Sequence, residues 1–207
     1  MKVTLIGSGN MGSGLAKQIV KAGHALVVSG RNAAKAGELA RATGATFKSA
    51  NAAEGADIVI VATGYPDAVD ALRTAGDLAG KVVVDITNPM TADYSALTIG
   101  QTTSAAEEIQ KAFPKAKVVK AFNTVFAQIL AAGPALDGAT VPVYFAGDDA
   151  AAKATVKALV DSTGFTAVDA GGLKNARYLE PLAGLNIYFG YGAGKGTAIA
   201  PQWIGVK

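Results

Sequence analysis

The sequence predicts an α/β fold in which a doubly wound, mostly parallel sheet carries helices on both faces. One observation is the repeated alternation of short apolar runs with helix-forming segments, from the first residues to about residue 132. A second is that runs such as residues 58–62 and 82–86 are almost continuously apolar, as in strands buried on both faces. The third is a G-x-G-x-x-G motif where the first strand meets the first helix.

The glycine motif follows the first predicted strand and opens a helix predicted over residues 11–22. In such a turn Gly7 adopts the tight backbone angle, Gly9 lets a pyrophosphate approach the main chain, and Gly12 lets the helix lie close to the strand. The free amides at the start of the helix then face the phosphates. The motif predicts a dinucleotide-binding fold of the Rossmann type.

The end of the second predicted strand, residues 25–29, indicates which dinucleotide binds. Folds that prefer NAD usually place Asp or Glu here, about 20 residues after the glycines, to hold the ribose 2′-hydroxyl. This sequence instead has Ser29, Gly30, Arg31, Asn32 and Lys35. An arginine fork suits a 2′-phosphate, which no carboxylate repels here, so the segment predicts NADP(H). The alternative is that Arg31 and Lys35 are the solvated start of the helix over residues 33–43.

The remaining elements continue the alternation. Asp67, Ser104 with Glu107, and Asp148 or Asp149 have the chemistry of helix caps. Further strands are predicted over residues 45–48, 58–62, 82–86, 117–122, 141–146 and 165–169. Further helices are predicted over residues 67–78, 104–113, 125–132 and 149–160, with one short helical turn over residues 51–56.

Several loops fall at the carboxyl edge of the predicted sheet, where ligands bind in doubly wound folds. Thr63 and Gly64 are placed to meet ribose or phosphate, and Tyr65 either lines the pocket or packs on a neighbouring helix. Asn88 follows the next strand and faces the same edge as Gly9. Residues 90–103 show no periodicity, and a loop of this length in a compact domain is often functional.

The segment after the last strand is apolar and rich in glycine. We predict a helix to about residue 191 and a looser tail that contains Trp203. A helix that is apolar on nearly all sides is buried against something, here a partner subunit or a flat aromatic substrate. We therefore divide the chain into a dinucleotide-binding domain, residues 1–172, and a short C-terminal helical segment, residues 173–207.

Composition excludes several classes of function. The net charge is only +3 and the basic residues are scattered, so no nucleic-acid surface is expected. No apolar run approaches the length of about 18–20 residues that spans a bilayer, and the first residues lack a signal-peptide pattern, so no membrane association is expected. The absence of cysteine fits a cytoplasmic location and excludes thiolate chemistry, and no metal-ligand cluster is visible.

Candidate acid–base residues are few. His24, the only histidine, falls between the first helix and the second strand, which favours a structural role. Lys120 and Lys174 are candidate acids but are interpreted equally well as solvated side chains, so no catalytic residue is assigned. Hydride transfer between two bound cofactors tolerates this, because it depends mainly on alignment of the two rings.

Five motifs match a known family: residues 7–12, 30–35, 118–124, 142–149 and 164–173. Through them the chain resembles the NADPH-dependent reductases of coenzyme F420, the 8-hydroxy-5-deazaflavin:NADP oxidoreductases, over almost its whole length. It is also similar to the cytoplasmic oxidoreductase domain of the STEAP ferric reductases. Residues 90–103 and 188–196 depart from the family pattern.

The resemblance implies roles for individual residues. The pyrophosphate is held by Ser8, Gly9, Asn10 and Met11, and the 2′-phosphate by Ser29, Arg31 and Lys35. The nicotinamide lies near Ala121, Asn123 and Thr124, with a flat acceptor stacked on it beneath the C-terminal segment. In the family, hydride passes between C4 of the nicotinamide and C5 of the deazaflavin, and the proteins are usually homodimers.

The acceptor is left open between F420, FMN, FAD and another flat aromatic molecule, because the two departing segments are those expected to touch it. One alternative is a reductase of a small carbonyl or imine. Such enzymes usually have a long helical C-terminal domain with a catalytic lysine, and only a short segment follows the last strand here. The other alternative is a non-catalytic NADP(H)-binding protein.

Overall fold

The computed structural model describes residues 1–205. The strands are β1 (Lys2–Ile6), β2 (Ala25–Ser29), β3 (Thr46–Phe47), β4 (Ile58–Val61), β5 (Val82–Asp85), β6 (Lys117–Lys120), β7 (Ala135–Leu136), β8 (Ala139–Thr140), β9 (Pro142–Gly147) and β10 (Thr166–Asp169). The α-helices are α1 (Asn10–Lys21), α2 (Ala33–Thr43), α3 (Tyr65–Thr74), α4 (Ala105–Ala112), α5 (Ala127–Ala132), α6 (Ala150–Ser162) and α7 (Ala176–Ile187). A 3₁₀ turn, Leu173–Asn175, precedes α7, and a π-helical turn, Tyr188–Gly192, follows it.

Eight strands form one sheet in the order β3-β2-β1-β4-β5-β6-β9-β10. The first six run parallel, β9 pairs antiparallel with β6, and β10 pairs parallel with β9. The order reverses between β1 and β4, and the crevice at such a reversal is where doubly wound folds bind ligands. The predicted doubly wound, mostly parallel sheet is confirmed.

The sheet separates two apolar cores because alternate residues of each strand point to opposite faces. One face packs against α1, α2, α5 and α6 through side chains such as Leu5, Ile60, Val84, Leu15 and Val156. The other face packs against α3, α4 and the start of the C-terminal segment through Val61, Val83, Leu72, Ile109 and Leu173. The prediction of helices on both faces is therefore confirmed.

The ends of several elements differ from the predictions. The predicted cap Asp67 lies inside the first turn of α3, whose N-cap is Gly64, and this helix ends at Thr74 rather than at residue 78. Helix α5 begins two residues later than expected, after Phe126. Asn32, Ser104 and Asp149 each accept a backbone hydrogen bond as helix caps.

A two-stranded hairpin, β7–β8, was not predicted. Asp137 and Gly138 form its turn, both with positive φ (47° and 79°). An Asp-Gly pair between short apolar segments is a strong local signal for such a turn, so the sequence does contain the information.

Within residues 1–205, none of the helices has both the length and the apolarity needed to cross a bilayer.

Candidate functional site

The three glycines of the turn between β1 and α1 have different surroundings. Gly7 has φ +121°, and a Cβ there would lie 2.4 Å from the Ala62 carbonyl oxygen. A Cβ on Gly12 would lie 2.1 Å from the Gly7 carbonyl oxygen, so strand and helix meet too closely for any side chain. Gly9 is the N-cap of α1, and a Cβ there would have no atom within 4 Å. The space outside Gly9 is therefore open, and the first amides of α1 face it, as a pyrophosphate requires.

The basic segment after β2 lies beside this turn. The Ser29 carbonyl oxygen accepts from the Gly7 amide at 2.8 Å, which ties the end of β2 to the glycine turn. The Asn32 Oδ1 atom caps α2 by accepting from the Lys35 amide at 3.0 Å. The Nδ2 group of Asn32 can still donate a hydrogen bond to a ligand. Arg31 is 89% exposed, and its guanidinium forms an ion pair at 3.4 Å with Asp67. Its guanidinium is thus available to an anion at the mouth of the crevice.

A cavity of about 710 Å³ extends from the glycine turn along the carboxyl ends of the strands. Eight of the predicted residues line it: Gly9, Asn10, Met11, Thr63, Gly64, Asn88, Asn123 and Thr124. Ser8 and Ala121 are buried, and Tyr65 is half-buried at the start of α3, outside the cavity lining. The cavity also has lining residues that were not predicted: Ile86, Thr87, Val125, Phe126, Ala183 and Asn186.

Asparagine side chains connect the cavity floor to α7. Asn123 donates through Nδ2 to Asn88 Oδ1 at 3.0 Å and to the Leu179 carbonyl oxygen at 2.9 Å. Asn88 donates back to the Asn123 carbonyl oxygen at 2.9 Å, and Asn186 donates to the Thr124 carbonyl oxygen at 3.1 Å. These bonds hold α7 over the carboxyl edge of the sheet, where the C-terminal segment was expected.

Three buried polar atoms beside the cavity have no hydrogen-bond partner within residues 1–205: Thr87 Oγ1, Asn123 Oδ1 and Thr124 Oγ1. Buried polar atoms are usually paired, and exceptions concentrate at functional sites. All three residues line the cavity in the region predicted for the nicotinamide. The polar character of this region fits a ligand that brings hydrogen-bonding groups of its own.

A buried charge cluster lies beneath the cavity floor and was not predicted. The Lys120 Nζ atom is 2.7 Å from Asp85 Oδ2, 2.7 Å from Glu180 Oε1 and 2.6 Å from the Thr87 carbonyl oxygen. Lys120 is fully buried, so its interpretation as a solvated side chain is wrong, whereas Lys174 is exposed. Asp85 and Lys120 lie opposite each other on β5 and β6. Opposite charges at the ends of two apolar strands are a pattern in the sequence from which this ion pair could have been predicted.

Glu180 joins this cluster from α7. It accepts hydrogen bonds from the Ala105 and Ala106 amides at 3.0 and 3.4 Å, at the start of α4, where the helix dipole favours a carboxylate. Burial nevertheless raises the pKa of Glu180 above its ordinary value, while Lys120 acts in the opposite direction. The cluster connects β5, β6, α4 and α7, and Lys120 fixes the backbone at Thr87 where it enters the cavity.

A second cavity of about 550 Å³ adjoins the first. It lies between the loop after β5 and the C-terminal segment, and both cavities share Met90, Asp93, Tyr94, Ile187 and Tyr191. Both segments that depart from the family pattern therefore line the space next to the predicted nicotinamide position. The Tyr191 ring also packs edge-on against Phe126, with ring centroids 5.7 Å apart.

Within residues 1–205, no His, Lys or Glu side chain lines either cavity. His24 lies at the opposite end of the sheet, with Nδ1 3.1 Å from the terminal amine and Nε2 2.7 Å from Ser162 Oγ, consistent with the structural role predicted for it. Among residues 1–205, no group of three or more His, Asp or Glu side chains is arranged to hold a metal ion. The arrangement is suited to binding and aligning two ligands end to end.

Comparison with known proteins shows which family the chain resembles. The family model described as "NADP oxidoreductase coenzyme F420-dependent" matches residues 2–89. A crystal structure from Arthrobacter sp. FB24, provisionally described as an F420-dependent NADP reductase, is 32% identical, covers 96% of both chains and has a TM-score of 0.83. A reductive aminase from Aspergillus terreus, solved with NADPH, has a TM-score of 0.69 over 93% of this chain and 63% of its own, but at 24% identity it shows the fold alone.

Metalloreductase STEAP3 from Rattus norvegicus is 35% identical over 182 residues, which are 87% of this chain and 36% of the relative. The chain thus spans about a third of the length of the curated relatives it matches. The Arthrobacter structure, in contrast, is matched over nearly its full length. The chain belongs to the family of coenzyme F420-dependent NADP oxidoreductases.

Proposed function

We propose that this protein is an NADPH-dependent oxidoreductase that passes hydride to a flat aromatic acceptor of the flavin or deazaflavin type. One observation carries the proposal: the open helix start at Gly9, the polar strand ends at Asn88 and Asn123, and the second cavity follow one another along a single crevice. NADPH bound there would supply a hydride from C4 of its nicotinamide, and the acceptor would take up that hydride together with a proton from water. F420, FMN and FAD are the candidate acceptors.

The residues of the chain act by binding and orientation in this proposal. The first turn of α1 holds the pyrophosphate, and Arg31 with Lys35 holds the 2′-phosphate. Asn88, Asn123 and Thr124 orient the nicotinamide, and Tyr191 with the rest of the C-terminal segment limits access of water. Lys120 is sealed from the cavity by its own ion pairs, which argues against its use as the proton donor that a carbonyl reductase needs.

Steady-state oxidation of NADPH with a panel of acceptors tests the proposal. We expect turnover with riboflavin, FMN, FAD or F420 and none with simple ketones or imines. Turnover with carbonyl or imine substrates only would assign the protein to that class of reductase instead. Tight NADPH binding without oxidation by any acceptor would leave a non-catalytic binding protein.

Arg31→Ala is expected to weaken NADPH binding by about 1.5–3 kcal/mol, roughly 10- to 150-fold in Kd, because a charge-assisted hydrogen bond is lost. NADH binding should be unchanged, since NADH has no 2′-phosphate. Isothermal titration with both coenzymes measures the difference. Arg73→Ala removes another exposed arginine, 65% exposed and paired with Asp70 on α3, and it is the control. Equal NADPH affinity in the Arg31 variant and the wild type would remove this assignment.

We also propose that the protein forms a homodimer through its C-terminal segment. Tyr178, Leu185 and Phe189 are 74%, 50% and 43% exposed. Their spacing of seven and four residues places them on one face of α7 and the turn that follows it. An exposed apolar stripe of this kind is typical of an association surface. Sedimentation equilibrium should give twice the chain mass, and Leu185→Glu should reduce it.

A further inference from the structure

The main chain of Thr87, at the cavity wall, is held from both sides by a buried ion pair. Its amide donates to Asp85 Oδ1 at 2.8 Å, and its carbonyl oxygen accepts from Lys120 Nζ at 2.6 Å. Asp85 and Lys120 pair with each other at 2.7 Å, and both side chains are fully buried. The backbone of Thr87 is therefore fixed, while its Oγ1 atom has no hydrogen-bond partner among residues 1–205.

Asn123 and Thr124 are held by side chains in a similar way. The Asn123 carbonyl oxygen accepts from Asn88, and the Thr124 carbonyl oxygen accepts from Asn186. The Asn123 Nδ2 group is occupied as well, because it donates to Asn88 Oδ1 and to the Leu179 carbonyl oxygen. Within the described part of the chain, one acceptor, Asn123 Oδ1, and one hydroxyl, Thr124 Oγ1, remain without a partner.

The three unpaired atoms belong to deeply buried residues on the dinucleotide side of the crevice. Thr87, Asn123 and Thr124 are 3%, 5% and 2% exposed. They line the first cavity together with Gly9, and none of them lines the second cavity, which we call the acceptor cavity. An unpaired polar atom at this depth lowers the stability of the free protein, and a ligand that pairs with it offsets that loss.

These atoms match the hydrogen-bonding groups of a primary carboxamide. Such a group has two N–H hydrogens and one carbonyl oxygen. Asn123 Oδ1 can only accept, so it requires an N–H hydrogen, whereas the hydroxyls of Thr87 and Thr124 can each donate or accept. The second N–H hydrogen and the carbonyl oxygen of the carboxamide can therefore both be paired by the two hydroxyls.

We propose that Thr87, Asn123 and Thr124 together bind the carboxamide of the NADP(H) nicotinamide. This inference rests on the proposed function and deepens it, because it names the chemical group that is recognised and adds Thr87, which the sequence did not indicate. A bound carboxamide fixes which way round the nicotinamide ring lies. It therefore also fixes which face of C4 is turned toward the acceptor.

Thr87→Val and Thr124→Val test the inference, since valine has nearly the shape of threonine without the hydroxyl. Each change should weaken NADP⁺ binding roughly 2- to 13-fold in Kd, which corresponds to the loss of one hydrogen bond. The urea midpoint of the free protein should rise, because a buried unpaired hydroxyl is replaced by a methyl group. Isothermal titration and urea unfolding measure these two quantities, which are expected to change in opposite directions.

Thr4→Val is the matched control. Thr4 is just as deeply buried, at 1% exposed, but its Oγ1 atom donates to the Ala52 carbonyl oxygen at 2.7 Å and it lines neither cavity. This variant should lower the urea midpoint, since the Ala52 carbonyl oxygen loses its donor, and it should bind NADP⁺ normally. Normal NADP⁺ affinity in the Thr87 and Thr124 variants as well would overturn the inference.

Two further ligands locate the lost interaction. Adenosine 2′,5′-bisphosphate lacks the nicotinamide, so the Thr87 and Thr124 variants should bind it as the wild type does. The 3-acetylpyridine analogue of NADP⁺ has a methyl group in place of the amino group. The wild type should bind this analogue roughly 2- to 13-fold more weakly than NADP⁺, because Asn123 Oδ1 loses its donor. Weaker binding of the bisphosphate by the variants, or equal wild-type affinity for the analogue and NADP⁺, would contradict the assignment.

These titrations contain no acceptor, so they separate the inference from the proposed function. The expected changes in affinity, found in a protein that oxidises NADPH with no acceptor, would retain the carboxamide site and reject the reductase. Turnover of NADPH with a flavin, found together with normal NADP⁺ binding by Thr87→Val and Thr124→Val, would retain the reductase and reject the carboxamide site.

Discussion

Lys120→Met is expected to lower the free energy of unfolding by about 3–5 kcal/mol, since it leaves carboxylates buried without their cation. Methionine has a similar length and fits the apolar surroundings, so loss of charge rather than loss of volume accounts for the effect. Asp85 and Glu180 would then face each other across the position of the ammonium group, with the Thr87 amide still donating to Asp85 and the start of α4 still donating to Glu180. The Thr87 carbonyl oxygen would also lose its donor.

Urea unfolding at pH 7 measures this loss, and Lys157→Met is the matched control. Lys157 pairs with Asp161 one turn away on α6 and is 57% exposed, so its removal should cost no more than about 1 kcal/mol. Similar small losses in both variants would show that the buried cluster contributes little to stability. They would also remove the basis for treating Lys120 as the residue that fixes the cavity floor.

The Lys120→Met variant should also respond differently to pH. Burial raises the folded-state pKa of Glu180, so the folded protein binds this proton more tightly than the unfolded chain. The stabilisation that protonated Glu180 gives to the folded protein is complete below the pKa of this residue in the unfolded chain. It is lost as the pH rises through the pKa of Glu180 in the folded protein. Without Lys120 the folded pKa rises further, so the difference from the wild type should be smaller at pH 5 than at pH 7.

The strands were predictable because burial on both faces leaves an almost continuous apolar run, and parallel strands bring their carboxyl ends to one edge. This reasoning placed Asn88 beside Gly9 although they are far apart in sequence, whereas Asn123 was placed there by the family resemblance, and all three line one cavity. The start of α3 was misplaced because Asp67 has the chemistry of a cap. Gly64 takes that position instead, with Pro66 in the first turn.

The buried cluster could not be predicted in the same way. Asp85 and Lys120 end neighbouring strands, but Glu180 comes from a helix that follows four further strands, and only tertiary docking brings it to them. The loop that lines the second cavity could not be predicted from the sequence either. The loop after β5 has no periodicity, and its conformation depends on local bonds of Thr91, Asp93 and Ser95 that no pattern of apolar residues encodes.

The second large effect is expected at the glycine turn, where two alanine substitutions should separate binding from folding. Gly9→Ala should fold with an unfolding free energy within about 1 kcal/mol of the wild type, because Gly9 has an extended backbone (φ −76°, ψ −172°) that alanine also adopts. The added methyl group points into open space in the free protein. That space is where a pyrophosphate must approach the main chain. Loss of a charge-assisted hydrogen bond to it costs about 1.5–3 kcal/mol, so NADPH binding should weaken roughly 10- to 150-fold in Kd.

Gly12→Ala should instead reduce both the free energy of unfolding and the affinity for NADPH. Its Cβ would lie 2.1 Å from the Gly7 carbonyl oxygen, so β1 and α1 must move apart, at a cost of about 1–3 kcal/mol or more. Urea unfolding and titration with NADPH, applied to both variants, give the comparison. Normal NADPH affinity in Gly9→Ala would mean that the phosphates bind elsewhere. In that case the turn is only a close contact of strand and helix. Phosphate binding at this turn could then no longer be used to place the nicotinamide beside the acceptor cavity.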